Sequence, residues 1–207
     1  MLTVILLAAG LSKRMGTANK LRLPFGDKTI LQTTLHNIIE ANVGEILVIV
    51  GHERDLIESD LEFFKDKIKI VFNPHFESGM TSSIQAGIAN SSKNTEGYMI
   101  CLSDMPLLQP IDYQRISNFY LSLKEKKDSH HPIVQPVFKG QRGNPVIFHP
   151  IYKKELLDLK NTEGGKPVVQ AHKEKLYFIN MPNDAILRDA DTPEAYSELI
   201  KLNFDKA

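Results

Sequence analysis

Leu2-Thr3-Val4-Ile5-Leu6-Leu7 runs directly into Ala8-Ala9-Gly10-Leu11-Ser12-Lys13-Arg14-Met15-Gly16, with Lys20 just beyond. An apolar, β-branched run that gives way to small residues and then to basic ones reads as a buried strand feeding a loop able to wrap phosphates. Small residues let backbone N–H groups approach an anion closely, and Arg14 and Lys20 bring the charge that a polyphosphate requires. Two other phosphate loops are excluded. No Lys-Ser/Thr pair follows the second glycine, as a P-loop needs, and there is no G-x-G-x-x-G.

Beyond this loop, strand-like runs at residues 45–50, 69–72 and 98–102 alternate with helical patterns, the signature of an α/β fold with a largely parallel sheet. Leu31, Leu35, Ile38 and Ile39 give the first helix one apolar face. Further helical patterns cover residues 55–64, 80–89 and 110–123. Residues 133–138 and 144–148 flank Lys139-Gly140-Gln141-Arg142-Gly143, a spacing that predicts a β-hairpin with a five-residue loop. Pro136 and Pro145 inside these runs demote them to edge or irregular strands, and the segment reads as an insertion overhanging a cleft. A short helix over 151–159, a Gly164-Gly165 turn, a second short helix, a strand over 176–179 and a helix over 193–202 complete the pattern. Ligands of open α/β sheets gather at the carboxyl ends of parallel strands, and there the sequence places the glycine loop, Gly51-His52, Asn73-Pro74 and Ser103-Asp104.

Composition limits the partners. A chain of 207 residues fits one domain, since single cores commonly extend to ~250 residues. Lys plus Arg equals Asp plus Glu at 25 each, which leaves no electrostatic footprint for a nucleic-acid duplex, so a bound anion must be small and met by a local cluster. The single cysteine, Cys101, falls in an apolar run; it permits no internal disulfide and points to a reducing, cytoplasmic setting. The opening apolar stretch is far shorter than the ~20 residues of a membrane span and has no basic leader.

Asp104 follows an apolar strand and precedes Met105-Pro106, which puts its carboxylate at the rim of the sheet. There it can hold a divalent cation or cap the helix that begins near Pro110; Mg²⁺ needs only one or two protein carboxylates when phosphates complete its shell. In Asp189-Ala190-Asp191-Thr192-Pro193-Glu194, Thr192 or Asp191 can cap the last helix. Gly79 to Ser83 suits either helix capping or close approach to a planar base. Asn73 before Pro74 fits an Asx-turn as well as a ligand contact, and His75 beside it is open in the same way. The charged run 124–128 reads as a solvated helix end. His130, His131 and His149 lack the spacing of a zinc site, and there is no G-x-S-x-G elbow or Cys-His pair for covalent acyl chemistry.

The opening loop resembles the signature of the nucleotidyltransferases that activate molybdopterin, L-A-[AG]-G-x-S-x-R-M-G with a lysine shortly after. The resemblance continues through Gly79-Met80-Thr81-Ser82-Ser83-Ile84, Leu102-Ser103-Asp104-Met105-Pro106, Arg142-Gly143-Asn144-Pro145-Val146 and the segment from Asp189 to Glu194. Ala9, where guanylyltransferases carry a second glycine, resembles the molybdenum cofactor cytidylyltransferase branch. The resemblance implies a three-layer α/β/α nucleotidyltransferase fold, Rossmann-like with a mostly parallel mixed sheet. It also implies Mg²⁺-dependent transfer of CMP from CTP to molybdopterin or molybdenum cofactor, with release of pyrophosphate.

By the same resemblance Leu7, Ala8, Ala9, Gly10, Ser12, Arg14, Lys20, Gly79, Ser82 and Ser83 bind the nucleotide, and Arg14, Lys20 and Asp104 are catalytic. Asp104 and Asp191 hold the metal, with Asp191 favoured over Asp189. Arg142, Gly143, Asn144 and Lys166 embrace the acceptor. The nucleotide then occupies the half formed by about residues 1–110 and the acceptor that of about 111–207. A molybdoenzyme or its chaperone is an expected transient partner. The same motifs leave three other readings open: a guanylyltransferase, an NTP transferase for another phosphorylated metabolite, and a non-catalytic molybdenum cofactor carrier or insertion chaperone.

Overall fold

The computed structural model describes residues 1–16, 19–125, 131–160 and 162–204; Lys126, Lys127, Asp128 and His130 of the charged and histidine runs lie outside them. In chain order the elements are β1 (Leu2–Ala8), β2 (Pro24–Phe25), β3 (Lys28–Thr29), α1 (Ile30–Ala41), β4 (Gly44–Val50), α2 (Arg54–Leu61), β5 (Lys69–Phe72), α3 (Met80–Asn90), β6 (Tyr98–Leu102) and α4 (Pro110–Lys124). They continue with β7 (Ile133–Phe138), β8 (Gln141–Arg142), β9 (Val146–Phe148), α5 (Lys153–Asp158), α6 (Lys166–Ala171), β10 (Leu176–Asn180) and α7 (Pro193–Phe204). The main sheet runs β10-β7-β9-β6-β1-β4-β5, with β8 paired to β7, and β2 and β3 form a separate ribbon. β1 is parallel to β4 and β6, β4 to β5, and β10 to β7; β9 is antiparallel to both β6 and β7, and β8 is antiparallel to β7.

Side chains alternate between two cores because successive strand residues point to opposite faces. Val4, Leu6, Val48, Met99 and Cys101 pack with α1, α2, α4 and α7 on one face. Ile5, Leu47, Ile49, Tyr98 and Ile100 pack with α3, α5 and α6 on the other. Both faces are covered, so the central strands read as continuous apolar runs, and the architecture is the three-layer mixed α/β fold that the sequence implies. The first helix is fixed at its start by a capping box. Thr29 Oγ1 accepts from Gln32 N at 3.2 Å while Gln32 Oε1 accepts from Thr29 N at 3.0 Å, satisfying two otherwise orphaned donors. No helix among the described residues is long and apolar enough to cross a membrane.

The expected five-residue hairpin is different. Lys139 and Gly140 both have positive φ, 49° and 81°, and form a two-residue turn that returns the chain as β8, pairing Val137 with Arg142. Two successive positive φ values match the right-handed twist of the flanking strands. The chain then leaves the sheet through Gly143 and the cis Asn144–Pro145 peptide before re-entering it as β9. Nor is β7 an edge strand: β10 lies on one side of it, and β9 and then β8 on the other. Pro136 is tolerated because it sits where the neighbour changes from β9 to β8, and its carbonyl still accepts from Gly143 N at 2.9 Å. This segment extends the main sheet through β8 and β9.

Candidate active site

The loops after β1 and β6 meet at one end of the sheet. Ser103 Oγ donates to the Leu7 carbonyl at 2.6 Å, and Ala190 N donates to the Asp104 carbonyl at 3.1 Å. The second bond brings the segment before α7 over the same strand ends. Behind Asp104, the buried Asn37 of α1 donates to the Leu108 carbonyl at 2.8 Å and holds the descending loop. Asp104 does not cap α4, because Asp112 Oδ2 accepts from Gln109 N at 3.0 Å and fills that role. Thr192 Oγ1 caps α7 by accepting from Ala195 N at 3.2 Å. Both aspartates are thereby left to face the cleft.

There they meet the basic residues of the first loop. The Lys20 ammonium donates to Asp104 Oδ2 and, at 2.5 Å, to Asp191 Oδ1. Arg14 Nη1 donates to Asp191 Oδ2 at 2.7 Å. Burial opposes the charge on Lys20, but Asp104 and then Asp191 outweigh it and hold its pKa above the ordinary lysine value. Burial likewise raises Asp191, yet Lys20 and Arg14 bring it below the usual carboxylate range. Asp189 goes the other way: burial first, then the charges of Asp104 and Asp191, lift its pKa. The other oxygen of Asp104, Oδ1, is buried and has no hydrogen-bond partner. An orphaned carboxylate oxygen beside a second carboxylate is the hard donor set that Mg²⁺ or Mn²⁺ takes. Among the described residues no three His, Cys, Asp or Glu side chains are grouped to enclose an ion alone, so phosphate oxygens and water would have to complete its shell.

Leu7, Ala9, Gly10, Ser12, Arg14, Lys20, Gly79, Ser83, Asp104 and Asp191 all line one cavity of about 480 Å³. Ala8 does not; its side chain is buried in the sheet core. Ser82, on the first turn of α3, does not line it either: its hydroxyl accepts from Asn73 Nδ2 at 2.9 Å and donates to the His75 carbonyl at 2.8 Å, both in the loop before the helix. Asn73 forms the Asx-turn, its Oδ1 accepting from His75 N at 2.9 Å. Arg142, Asn144 and Lys166 line a second cavity of about 350 Å³, which shares Met80 and Leu102 with the first. Gly143 stays outside it. A Cβ there would stand 2.3 Å from the Ile186 carbonyl oxygen, so the glycine allows the two backbones to touch. Arg142 lies over the Phe178 ring, 4.9 Å from its centroid.

Phe76 also lines the first cavity, although it falls in none of the quoted motifs; Met80, Ser103 and Asp189 line it too and do fall in those motifs, brought together by α3 and by the loops after β6 and before α7. Of the histidines, the rings of His131 and His149 lie 4.8 Å apart. His149 Nδ1 accepts from Ile151 N at 3.1 Å at the turn before α5.

Comparison with known proteins fits this geometry. The MobA-like NTP transferase domain matches residues 4–176. The chain is 29% identical over 174 residues to the probable molybdenum cofactor guanylyltransferase of Methanosarcina mazei, covering 82% of this chain and 72% of that protein. It is also 23% identical over 202 residues to the nicotine blue oxidoreductase of Paenarthrobacter nicotinovorans, covering 96% of each. In fold it is similar to the Rv0371c protein of Mycobacterium tuberculosis H37Rv, with a TM-score of 0.84 at 22% identity over 97% of both chains. A structure of Rv0371C in complex with manganese gives 0.77 at 20% identity, over 97% of this chain and 98% of that one. Since the matched segment runs from β1 to the first residue of β10 and includes the Lys20 and Asp104 cleft, the chain belongs to the MobA-like NTP transferase family.

Proposed function

We propose that this protein transfers CMP from CTP to a terminal phosphate of molybdopterin or its molybdenum form, releasing pyrophosphate. The observation that carries the reading is the pairing of cavities. One is lined by the glycine loop, Lys20 and Asp104, the other by Arg142, Asn144 and Lys166, and they adjoin at Met80 and Leu102. That arrangement suits a triphosphate in the half built by about residues 1–110 and a phosphorylated acceptor in the half that follows.

The acceptor's phosphate oxygen attacks the α-phosphorus of CTP. A new P–O bond forms as the bond to the α,β-bridging oxygen breaks, and the electron pair leaves with pyrophosphate. No side chain need form a covalent intermediate, so the protein's work is alignment and charge neutralisation. Arg14 offers a planar fork to two phosphate oxygens, and Lys20 a mobile point charge for the leaving group. Asp104 and Asp191 would hold a divalent cation, Mg²⁺ in this reading, whose contribution is to neutralise charge on the triphosphate. The manganese complex described for Rv0371C supports a divalent ion in this fold.

CTP is preferred on the strength of Ala9, which stands in the loop where a second glycine would mark the guanylyl branch and which lines the first cavity. A guanylyl reading is favoured by a different observation, the identity to the Methanosarcina mazei relative. Cytoplasmic residence suits the single buried Cys101. Pyrophosphate release from each nucleoside triphosphate, with purified molybdopterin as acceptor, tests the reaction; Asp104→Ala should fold and lose more than ~10²-fold in rate.

A further inference from the structure

Lys20 stands between the two carboxylates that the proposed reaction assigns to the cation. Its ammonium bonds Asp104 Oδ2 and Asp191 Oδ1, and its side chain is only 15% exposed, against 8% for Asp104. The remaining oxygen of that carboxylate, Asp104 Oδ1, is buried in the cleft wall without a partner. Arg14 takes the second oxygen of Asp191 at 2.7 Å. Two cationic side chains therefore occupy oxygens of both carboxylates, with Asp189 on the same cavity wall.

A divalent ion drawn to Asp104 Oδ1 and Asp191 would come within a few ångström of the ammonium. Like charges that close in a partly buried site repel strongly, because little solvent lies between to screen them. Ion and ammonium can coexist only if the ammonium moves onto something more negative. A triphosphate supplies that, and lysine's flexible four-carbon stem can follow it, whereas a rigid guanidinium is less able to change partners.

We propose that Lys20 is a resident counter-ion that bars the divalent cation from Asp104 and Asp191 until a triphosphate draws its ammonium away, so that cation and nucleotide load together. This rests on the nucleotidyl-transfer reading above. It adds a task to Lys20 before any chemistry: the nucleotide itself opens the cation's seat, and a stray divalent ion cannot fill it first.

The test is Mn²⁺ affinity without nucleotide, read from the electron paramagnetic resonance signal of unbound Mn²⁺. Lys20→Met and Lys20→Gln should bind Mn²⁺ at least about tenfold tighter than wild type, since each exposes two carboxylates to the ion. Lys20→Arg, which keeps the charge, should stay as weak as wild type. Thermal melts identify variants that fold; if Lys20→Met does not, the polar but uncharged Lys20→Gln carries the test. Equal Mn²⁺ affinity in wild type and the folded neutral variants overturns the proposal. Calorimetry of CTP with Mg²⁺ on the wild type separates the two failures. If CTP binds and Lys20 has no effect on Mn²⁺, the gating role alone falls; if no nucleoside triphosphate binds, the nucleotidyl-transfer reading falls with it.

Discussion

Arg14 Nη1 lies 2.7 Å from Asp191 Oδ2, tying the first loop of the chain to the last one before α7 across 177 positions. The pair sits at the cleft mouth, with Arg14 mostly exposed and Asp191 half-buried. Exposed ion pairs contribute little to stability, on the order of 1 kcal/mol or less. Its value to the protein must lie in placing the two groups on the cleft.

Asp191→Asn should therefore separate stability from activity. The melting temperature should move by no more than a few degrees, while the rate of pyrophosphate release falls by about 10²-fold. Stopped-flow pyrophosphate detection beside a thermal melt checks both. A rate within twofold of wild type would return the cation role to Asp104 and Asp189.

Tyr113 is fully buried on α4, and its hydroxyl has no hydrogen-bond partner. Burial, reinforced by Cys101, Asp112 and Asp104, pushes its pKa well above the ordinary tyrosine value. Burying an unpaired hydroxyl typically costs about 1–3 kcal/mol. Tyr113→Phe should accordingly be neutral or stabilising by up to about 1 kcal/mol in urea denaturation. A loss of stability in this variant would show that the hydroxyl has a partner in solution.

His149 carries a pH dependence. Burial, then the charges of His131 and Lys124, lower its pKa from 6.5 to about 4. The unfolded chain thus takes up a proton below about pH 6.5 that the folded chain refuses until about pH 4. The sign follows: its contribution is complete above pH 6.5 and is lost as pH falls toward 4. His149→Asn keeps an acceptor for Ile151 N but cannot titrate. Between pH 7 and 4.5 the wild type should lose more stability than the variant, measured by denaturant midpoints. Parallel curves would contradict the assignment.

Arg142→Ala removes a cation from the rim of the second cavity and its contact with Phe178. KM for the phosphorylated acceptor should rise about tenfold with kcat and the KM for CTP little changed, the pattern of lost ground-state binding. A change confined to the nucleotide KM would move the acceptor elsewhere.

The strands at residues 69–72 and 98–102 and the glycine loop were legible because periodicity and small residues report local geometry directly. The hairpin was not. A lysine at positive φ leaves no sequence signal, so the two-residue turn at Lys139-Gly140 and the excursion at Gly143 were hidden inside one apparent five-residue loop. The acidic and basic residues of the cleft were nameable from their motifs, but their mutual bonds were not, since Lys20 and Asp104 are 84 positions apart. Ser82 shows the opposite limit: its motif suggests a base contact, yet its hydroxyl, on the first turn of α3, is satisfied by the loop that precedes the helix. Asp189 and Asp191 were both nameable from their motif, but that both line the same cavity depends on the loop before α7 lying against the Asp104 backbone.

Cytidylyl transfer is decided by competition. Equal CTP and GTP are offered to the protein with molybdopterin and Mg²⁺, and the dinucleotide products are separated by mass. The cytosine product should predominate, with Ala9→Gly relaxing the preference by no more than the ~1–3 kcal/mol that one methyl in a pocket supplies. Predominant guanine product from the unmodified protein would contradict it.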